Sequence, residues 1–141
     1  MKNLTFAIIK PDAIKNNHTG LIYNHILNSN FEILGSKLIK MTKKQAEGFY
    51  GIHKDKPFFE ELTKFMSSGK CMVLALKKEN AIQEWRETIG ATNPDEAKEG
   101  TIRKLYATSL GENAVHGSDS DENAKKEIAF FFSDAELINN N

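Results

Sequence analysis

Hydrophobic and polar positions follow two periods along this chain, and the switches between them mark its elements. Leu4-Thr5-Phe6-Ala7-Ile8-Ile9 is β-rich and almost continuously apolar, the pattern of a central strand covered on both faces. It stops at Lys10-Pro11. Proline cannot extend a ladder and disfavours helix for the residue before it, so Lys10 is placed extended at the strand end, where sheet proteins collect ligand groups. A polar turn, Lys15 to Gly20, follows, with His18 read as solvated. From Leu21 to Leu27 the apolar positions 22, 26 and 27 have helical spacing, with His25 on the polar side, and Asn28-Ser29-Asn30 ends the helix. Phe31, Ile33 and, past Gly35, Leu38 predict a strand with an irregularity up to Ile39.

Thr42 with Gln45 three residues on is a capping box, opening a helix that carries Ala46, Phe49 and Tyr50. Pro57-Phe58-Phe59 opens another through Leu62, Phe65 and Met66, with proline in the first turn. Cys71 to Leu76 is a strand, and Asn80 to Ile89 is a helix carrying Trp85 and Arg86, ended by Gly90. Ala91 to Leu110 shows little regular pattern, and long loops in compact domains are commonly functional. Ala114-Val115 reads as a short strand before His116. Asp119 and Glu122 then make a capping-box-like start to a helix with apolar residues at 124, 128 and 131. Phe130-Phe131-Phe132 closes the core, Ser133 to Ile138 is a short terminal turn, and Asn139-Asn140-Asn141 is a frayed end. The order strand, helix, strand, two helices, strand, helix, loop, strand, helix is an α+β sandwich.

The length of 141 residues and the 40% hydrophobic content fit one domain spanning 1–141 with an ordinary core. Nineteen basic residues balance nineteen acidic ones, which argues against a nucleic-acid or membrane partner held by bulk electrostatics. Lys37, Lys40, Lys43 and Lys44 form a loose, solvent-facing basic cluster. Apolar runs such as Met72–Leu76 fall far short of a membrane span, and the N-terminus starts a strand with no signal peptide, so the expected address is cytoplasmic. The single Cys71 reads as a core thiol.

Chemistry concentrates in Asn113-Ala-Val-His116-Gly-Ser118-Asp-Ser120. Gly117 can adopt backbone angles closed to other residues and keep space open beside the imidazole, and neutral imidazole is a nucleophile that forms covalent intermediates at pH 7. A lone histidine at a strand end is more often a hydrogen-bonded structural residue, and it is the neighbours that favour chemistry. Glu127 sits in the second turn of the following helix, whose side chains lean back toward its N-terminus, so its carboxylate can reach His116. Bonded to one ring nitrogen it would fix the tautomer and free the other lone pair, with Ser118 orienting the carboxylate. Alternatively Glu127 is solvated beside Lys125 and Lys126. Phe58, next to proline at a helix start, and Tyr50 read as core from the residues alone. No Gly-rich Lys-Ser/Thr phosphate loop is present.

The string from Asn113 to Ser120 with Glu127 resembles the active-site signature of nucleoside diphosphate kinases. The resemblance continues through Ile8-Ile9-Lys10-Pro11-Asp12-Ala13, Phe49-Tyr50, Pro57-Phe58-Phe59, Ser68-Gly69, Gly90-Ala91-Thr92-Asn93-Pro94 and Gly100-Thr101-Ile102-Arg103, from about Leu4 to Leu137. It implies a ferredoxin-like βαββαβ fold, an antiparallel four-stranded sheet with helices on one face, assembled as a homohexamer or homotetramer. It also implies reversible ping-pong transfer of the γ-phosphoryl group from a nucleoside triphosphate, mainly ATP, to nucleoside diphosphates through a phosphohistidine on His116. Lys10, Arg86, Thr92, Arg103 and Mg²⁺ would neutralise the polyphosphate. Asn113 and Lys10 would hold the ribose, Phe58 and Leu110 would clamp the base, and the Tyr50 hydroxyl would lie near the histidine. Mg²⁺ would arrive on the phosphates, with no direct protein ligand.

Three departures accompany the resemblance. Lys104-Leu105 follows Arg103 where the family has a small residue and an aspartate, in a loop near the family's subunit contacts. Leu110 stands where valine or another aliphatic is common in the family. The chain is read as lacking the C-terminal extension of longer members. Two other classes share some features: a catalytically idle nucleotide-binding relative, and a phosphohistidine relay protein that would need no base clamp.

Overall fold

The computed structural model describes residues 3–138. In chain order its strands and helices are β1 (Leu4–Ile9), α1 (Pro11–Lys15), α2 (Thr19–Asn28), β2 (Glu32–Lys40), α3 (Lys43–Phe49), α4 (Phe59–Met66), β3 (Lys70–Lys77), α5 (Ala81–Ile89), α6 (Ile102–Tyr106), β4 (Val115–Gly117), α7 (Asp121–Phe131) and α8 (Asp134–Ile138). The sheet order is β2-β3-β1-β4, antiparallel at every pairing. The expected βαββαβ core is β1, α2, β2, β3, α5 and β4. The other helices lie in the connections and at the C-terminal end.

Side chains alternate along β1, and both sets are buried. Ala7 and Ile9 join a core with Ile22, Ile26, Trp85 and Ile89, whereas Phe6 and Ile8 join a second core with Met41, Ala46, Met66 and Ile128. Helices therefore cover both faces of the sheet, not one. A strand apolar on both sides requires cover on both, and α2, α5 and α6 supply one layer while α3, α4 and α7 supply the other.

Several local expectations change. The stretch 91–110 is not patternless, because a 3-10 turn at Pro94–Glu96 and helix α6 lie within it. Helix α1 starts on Pro11 directly after β1. Helices of five residues are too short to show a period. His18 is not solvated but half-buried against Tyr106, ring centroids 5.0 Å apart, with Nδ1 buried and unpartnered. Pro57 precedes the first turn of α4, whose N-cap is Phe58. The cap of α7 is Ser120, not Asp119: its Oγ accepts from the Asn123 N–H at 3.0 Å, while Asp119 accepts from the Asn123 side-chain amide at 2.6 Å.

The irregularity in β2 is a bulge between Ile33 and Gly35 that turns Leu34 inward and leaves Leu38 exposed. A Cβ on Gly35 would come within 2.8 Å of the Phe132 ring. Phe132 closes this core, whereas Phe130 is exposed. Lys37 is tied down, donating to the Phe131 carbonyl at 2.7 Å and pairing with Glu136 at 2.6 Å. Residues 139–141, read as frayed, lie outside the described residues.

Candidate active site

Strand β1 gathers the site from both ends of the chain. In register with β4, Ile8 faces His116 and Ala7 faces Gly117. Behind β4, the Trp85 indole N–H donates to the His116 carbonyl at 3.1 Å. A Cβ on Gly117 would approach Trp85 to 2.9 Å and Ile89 to 3.0 Å. Gly117 thus serves close packing against α5 and does not need the positive φ that its identity suggested.

His116 Nε2 lies 2.9 Å from Glu127 Oε1, and Ser118 Oγ donates to the same oxygen at 2.7 Å. Ser118 is fully buried, and its hydroxyl also accepts from the Phe6 N–H at 3.2 Å. Glu127 is therefore not a solvated helix residue. A carboxylate accepts, so the ring nitrogen facing it carries the hydrogen and Nδ1 keeps its lone pair. Phe6, Phe49 and Tyr50 present ring edges around the imidazole at centroid distances of 6.0, 5.6 and 6.3 Å. The Tyr50 hydroxyl is buried without a protein partner, and burial pushes its pKa far above the usual range, so it stays a neutral donor.

The cations form a second group. Lys10 Nζ donates to Asn113 Oδ1 at 2.8 Å, and the Asn113 amide donates to the Thr92 carbonyl at 3.2 Å. Arg103 is buried and donates to three carbonyls, those of Asn113 at 3.3 Å, Gly90 at 3.0 Å and Val115 at 2.8 Å. Among the described residues, none of Lys10, Arg86 and Arg103 pairs with a carboxylate. Burial, then the nearby Arg103 charge, lowers Lys10 to about 8 against the pull of Asp12, and burial with Arg86 lowers Arg103 to about 10. Clustered, partly desolvated cations favour an anion between them.

Arg86, Thr92, Thr101, Arg103 and Gly117 line a pocket of about 630 Å³. Gly117 also lines a smaller one of about 160 Å³ with Tyr50, Ile52, His53, His116 and Glu127. The two meet at the residue after the histidine. Phe58 and Leu110 lie outside both linings, 48% and 59% exposed. Phe58 is thus not a core residue. Its ring stands 5.6 Å from that of His53, a pocket residue that sequence reasoning missed. His53 follows no periodic or spacing signal and is placed by the 3-10 turn Gly51–His53.

Residues 3–137 match the family model described as nucleoside diphosphate kinase. The nucleoside diphosphate kinase of Geotalea uraniireducens is 56% identical over 134 residues, covering 95% of this chain and 98% of its own, and that of Persephonella marina is 53% identical, covering 95% and 96%. A crystal structure of the Aquifex aeolicus nucleoside diphosphate kinase superposes with a TM-score of 0.93 at 40% identity, covering 96% of this chain and 98% of its own. The Halobacterium salinarum nucleoside diphosphate kinase in complex with CDP gives 0.91 at 34%, covering 97% and 91%. With its sheet order, its His116-Glu127-Ser118 chain of hydrogen bonds and this similarity over nearly its whole length, the chain belongs to the nucleoside diphosphate kinase family.

Proposed function

We propose that this chain transfers the γ-phosphoryl group of a nucleoside triphosphate to a nucleoside diphosphate, with His116 as the nucleophile. The observation that carries the reading is the 2.9 Å bond from Nε2 to Glu127, because it leaves Nδ1 as the basic nitrogen. The Nδ1 lone pair attacks the γ-phosphorus, the bond to the β,γ-bridging oxygen breaks, and its electron pair leaves with the diphosphate. A terminal oxygen of the second diphosphate then attacks phosphohistidine and restores the free ring. The hydrogen on Nε2 stays on the ring throughout, donated to the Glu127 carboxylate, whose negative charge stabilises the positive charge that develops on the imidazole.

Lys10, Arg86, Thr92 and Arg103 hold the polyphosphate, and much of the rate comes from positioning and neutralised charge. Three Arg103 nitrogens already serve carbonyls, so its remaining hydrogens are the ones offered to phosphate. Asn113 and Lys10 bond the ribose, the Tyr50 hydroxyl donates beside His116, and Phe58 and Leu110 pack the base without reading its edges. Mg²⁺ comes in on the phosphates as part of the substrate. Arg86 and Arg103 on the pocket lining suit the phosphates that would carry the metal.

The single 1–141 domain, assembly as a homohexamer or homotetramer and a cytoplasmic address belong to the same reading, without nucleic-acid or membrane partners. Light scattering against the 15.9 kDa chain mass and cell fractionation test them. Among the described residues no helix is long and apolar enough to cross a membrane.

The reaction itself is tested with γ-labelled ATP beside a His116→Ala variant. The expected label is acid-labile and base-stable, missing in the variant, and discharged by GDP or CDP. Label retained with every diphosphate would favour a relay protein, and no label at all a binding module.

A further inference from the structure

Ala114 has a φ of 70°, in the left-handed region where a residue with a Cβ is strained. The Val115 N–H donates across it to the Asn113 carbonyl at 2.8 Å. Residues 113–115 therefore make a γ-turn with positive φ, the rare and strained form. This turn carries the Asn113 side chain at its start and feeds directly into His116. Such a conformation persists only where its surroundings over-determine it.

Two groups at the end of β1 grip Ala114 from either side. The Lys10 N–H donates to the Ala114 carbonyl at 2.8 Å, and the Ala114 N–H donates to Asp12 Oδ2 at 3.0 Å. The second grip is the costly one. Asp12 is 4% exposed, and its other oxygen is buried with no hydrogen-bond partner, so a carboxylate beside the Lys10 charge has been taken out of water with one hydrogen bond, to a backbone N–H.

We propose that Asp12 is a positioning residue for the phosphoryl transfer: through the Ala114 N–H it locks the γ-turn that aims His116, while the Asn113 side chain keeps its own bonds to Lys10 and the Thr92 carbonyl. It touches neither the nucleotide nor the reacting nitrogen. The inference rests on reading His116 as the nucleophile, and it assigns Asp12 its role through the accepted hydrogen bond, not through its charge beside Lys10.

The test is single-turnover labelling of His116 by saturating γ-labelled ATP in rapid quench, with ADP affinity measured separately by calorimetry. Asp12→Ala is expected to label about a hundredfold more slowly, the size of loss that a small misplacement produces, with ADP affinity changed by less than about threefold. Asp12→Asn keeps an acceptor oxygen and is expected to stay within roughly tenfold of the parent. Asp12→Ala is also made on an Ala114→Gly background, where glycine relieves the positive φ. There the further loss should shrink to about tenfold or less, and this pair gives a folded comparison if Asp12→Ala alone fails to fold.

Labelling of Asp12→Ala at the parent rate would overturn the proposal, as would Asp12→Asn as slow as Asp12→Ala. So would a loss confined to ADP affinity, or an undiminished hundredfold loss on the glycine background. Parent protein that takes label lost in His116→Ala upholds the nucleophile independently of these results. Parent protein that takes none overturns both.

Discussion

At Lys10, burial and charge oppose each other. Its pKa falls to about 8 from 10.5 because desolvation and Arg103 both disfavour the ammonium. Below about pH 8 the folded state holds a charge it disfavours, so Lys10 subtracts from stability there. Between 8 and 10.5 the unfolded chain binds more protons than the folded one, and stability from this group rises with pH. With Lys10 holding phosphate as proposed, activity runs the other way, since the neutral amine would lose its pull on the anion. A plot of kcat/KM against pH should show a descending limb near 8 that is missing in Lys10→Gln. At the neighbouring pair, Glu127→Gln keeps an acceptor for Nε2 but removes the charge opposite the developing imidazolium. We expect kcat to drop by about 10²-fold or more with nucleotide affinity little changed, read by steady-state kinetics and calorimetry. Cys71 is fully buried and its thiol is pushed up to about 12. The native protein should not react with a thiol reagent until it unfolds.

At the scale of the element, the short strand β4 is held by how closely α5 approaches it. Gly117→Ala would force a methyl into Trp85 and Ile89 and should lower stability by about 1–3 kcal/mol, seen as a lower melting temperature together with slower labelling of His116. Helix α3 gives a contrasting case. Thr42 Oγ1 accepts from the Gln45 N–H at 3.1 Å and Gln45 Oε1 accepts from the Thr42 N–H at 2.9 Å, so Thr42→Ala should cost about 1 kcal/mol without touching the chemistry. That capping box was legible in the sequence because both partners lie three residues apart. So were β1, β3 and α5, whose patterns are long enough to show a period, and the reach of Glu127 to His116, which follows from the lean of helical side chains. The short helices α1 and α6, the carbonyl partners of Arg103 and the positive φ of Ala114 were not. Alanine gives no sign of such a backbone, and Arg103 meets carbonyls from two separate segments, Gly90 and the 113–115 turn. The one-faced sheet was a misjudgement that β1 itself argued against, as both of its sides are apolar.

Across the whole molecule charges sum to zero, yet Lys10, Arg86 and Arg103 act on one another's charge, and among the described residues none of them makes an ion pair with a carboxylate. Binding of polyphosphate should therefore weaken with salt even though the chain as a whole is neutral. Raising ionic strength from about 0.05 to 0.3 M should increase KM for nucleotides several-fold while kcat changes little, because screening acts on the approach of the anion and less on the enclosed histidine and carboxylate.

The pairing of β1 with β4 also fixes when activity can first exist. Lys10 and Asn113 are 103 positions apart, Phe6 and Ser118 are 112 apart, and Glu127 follows later still. During synthesis the first strand must therefore wait, with its neighbours on one side only, until nearly the whole chain has emerged. Closing contacts over such separations is slow relative to forming local ones. A nascent or prematurely ended chain can contain Lys10, Arg86 and even the histidine and still have no carboxylate to set its tautomer. Competence for phosphorylation on His116 is thus a readout of completed folding, and in a pulse-labelled translation it should appear only after α7 has docked onto β1.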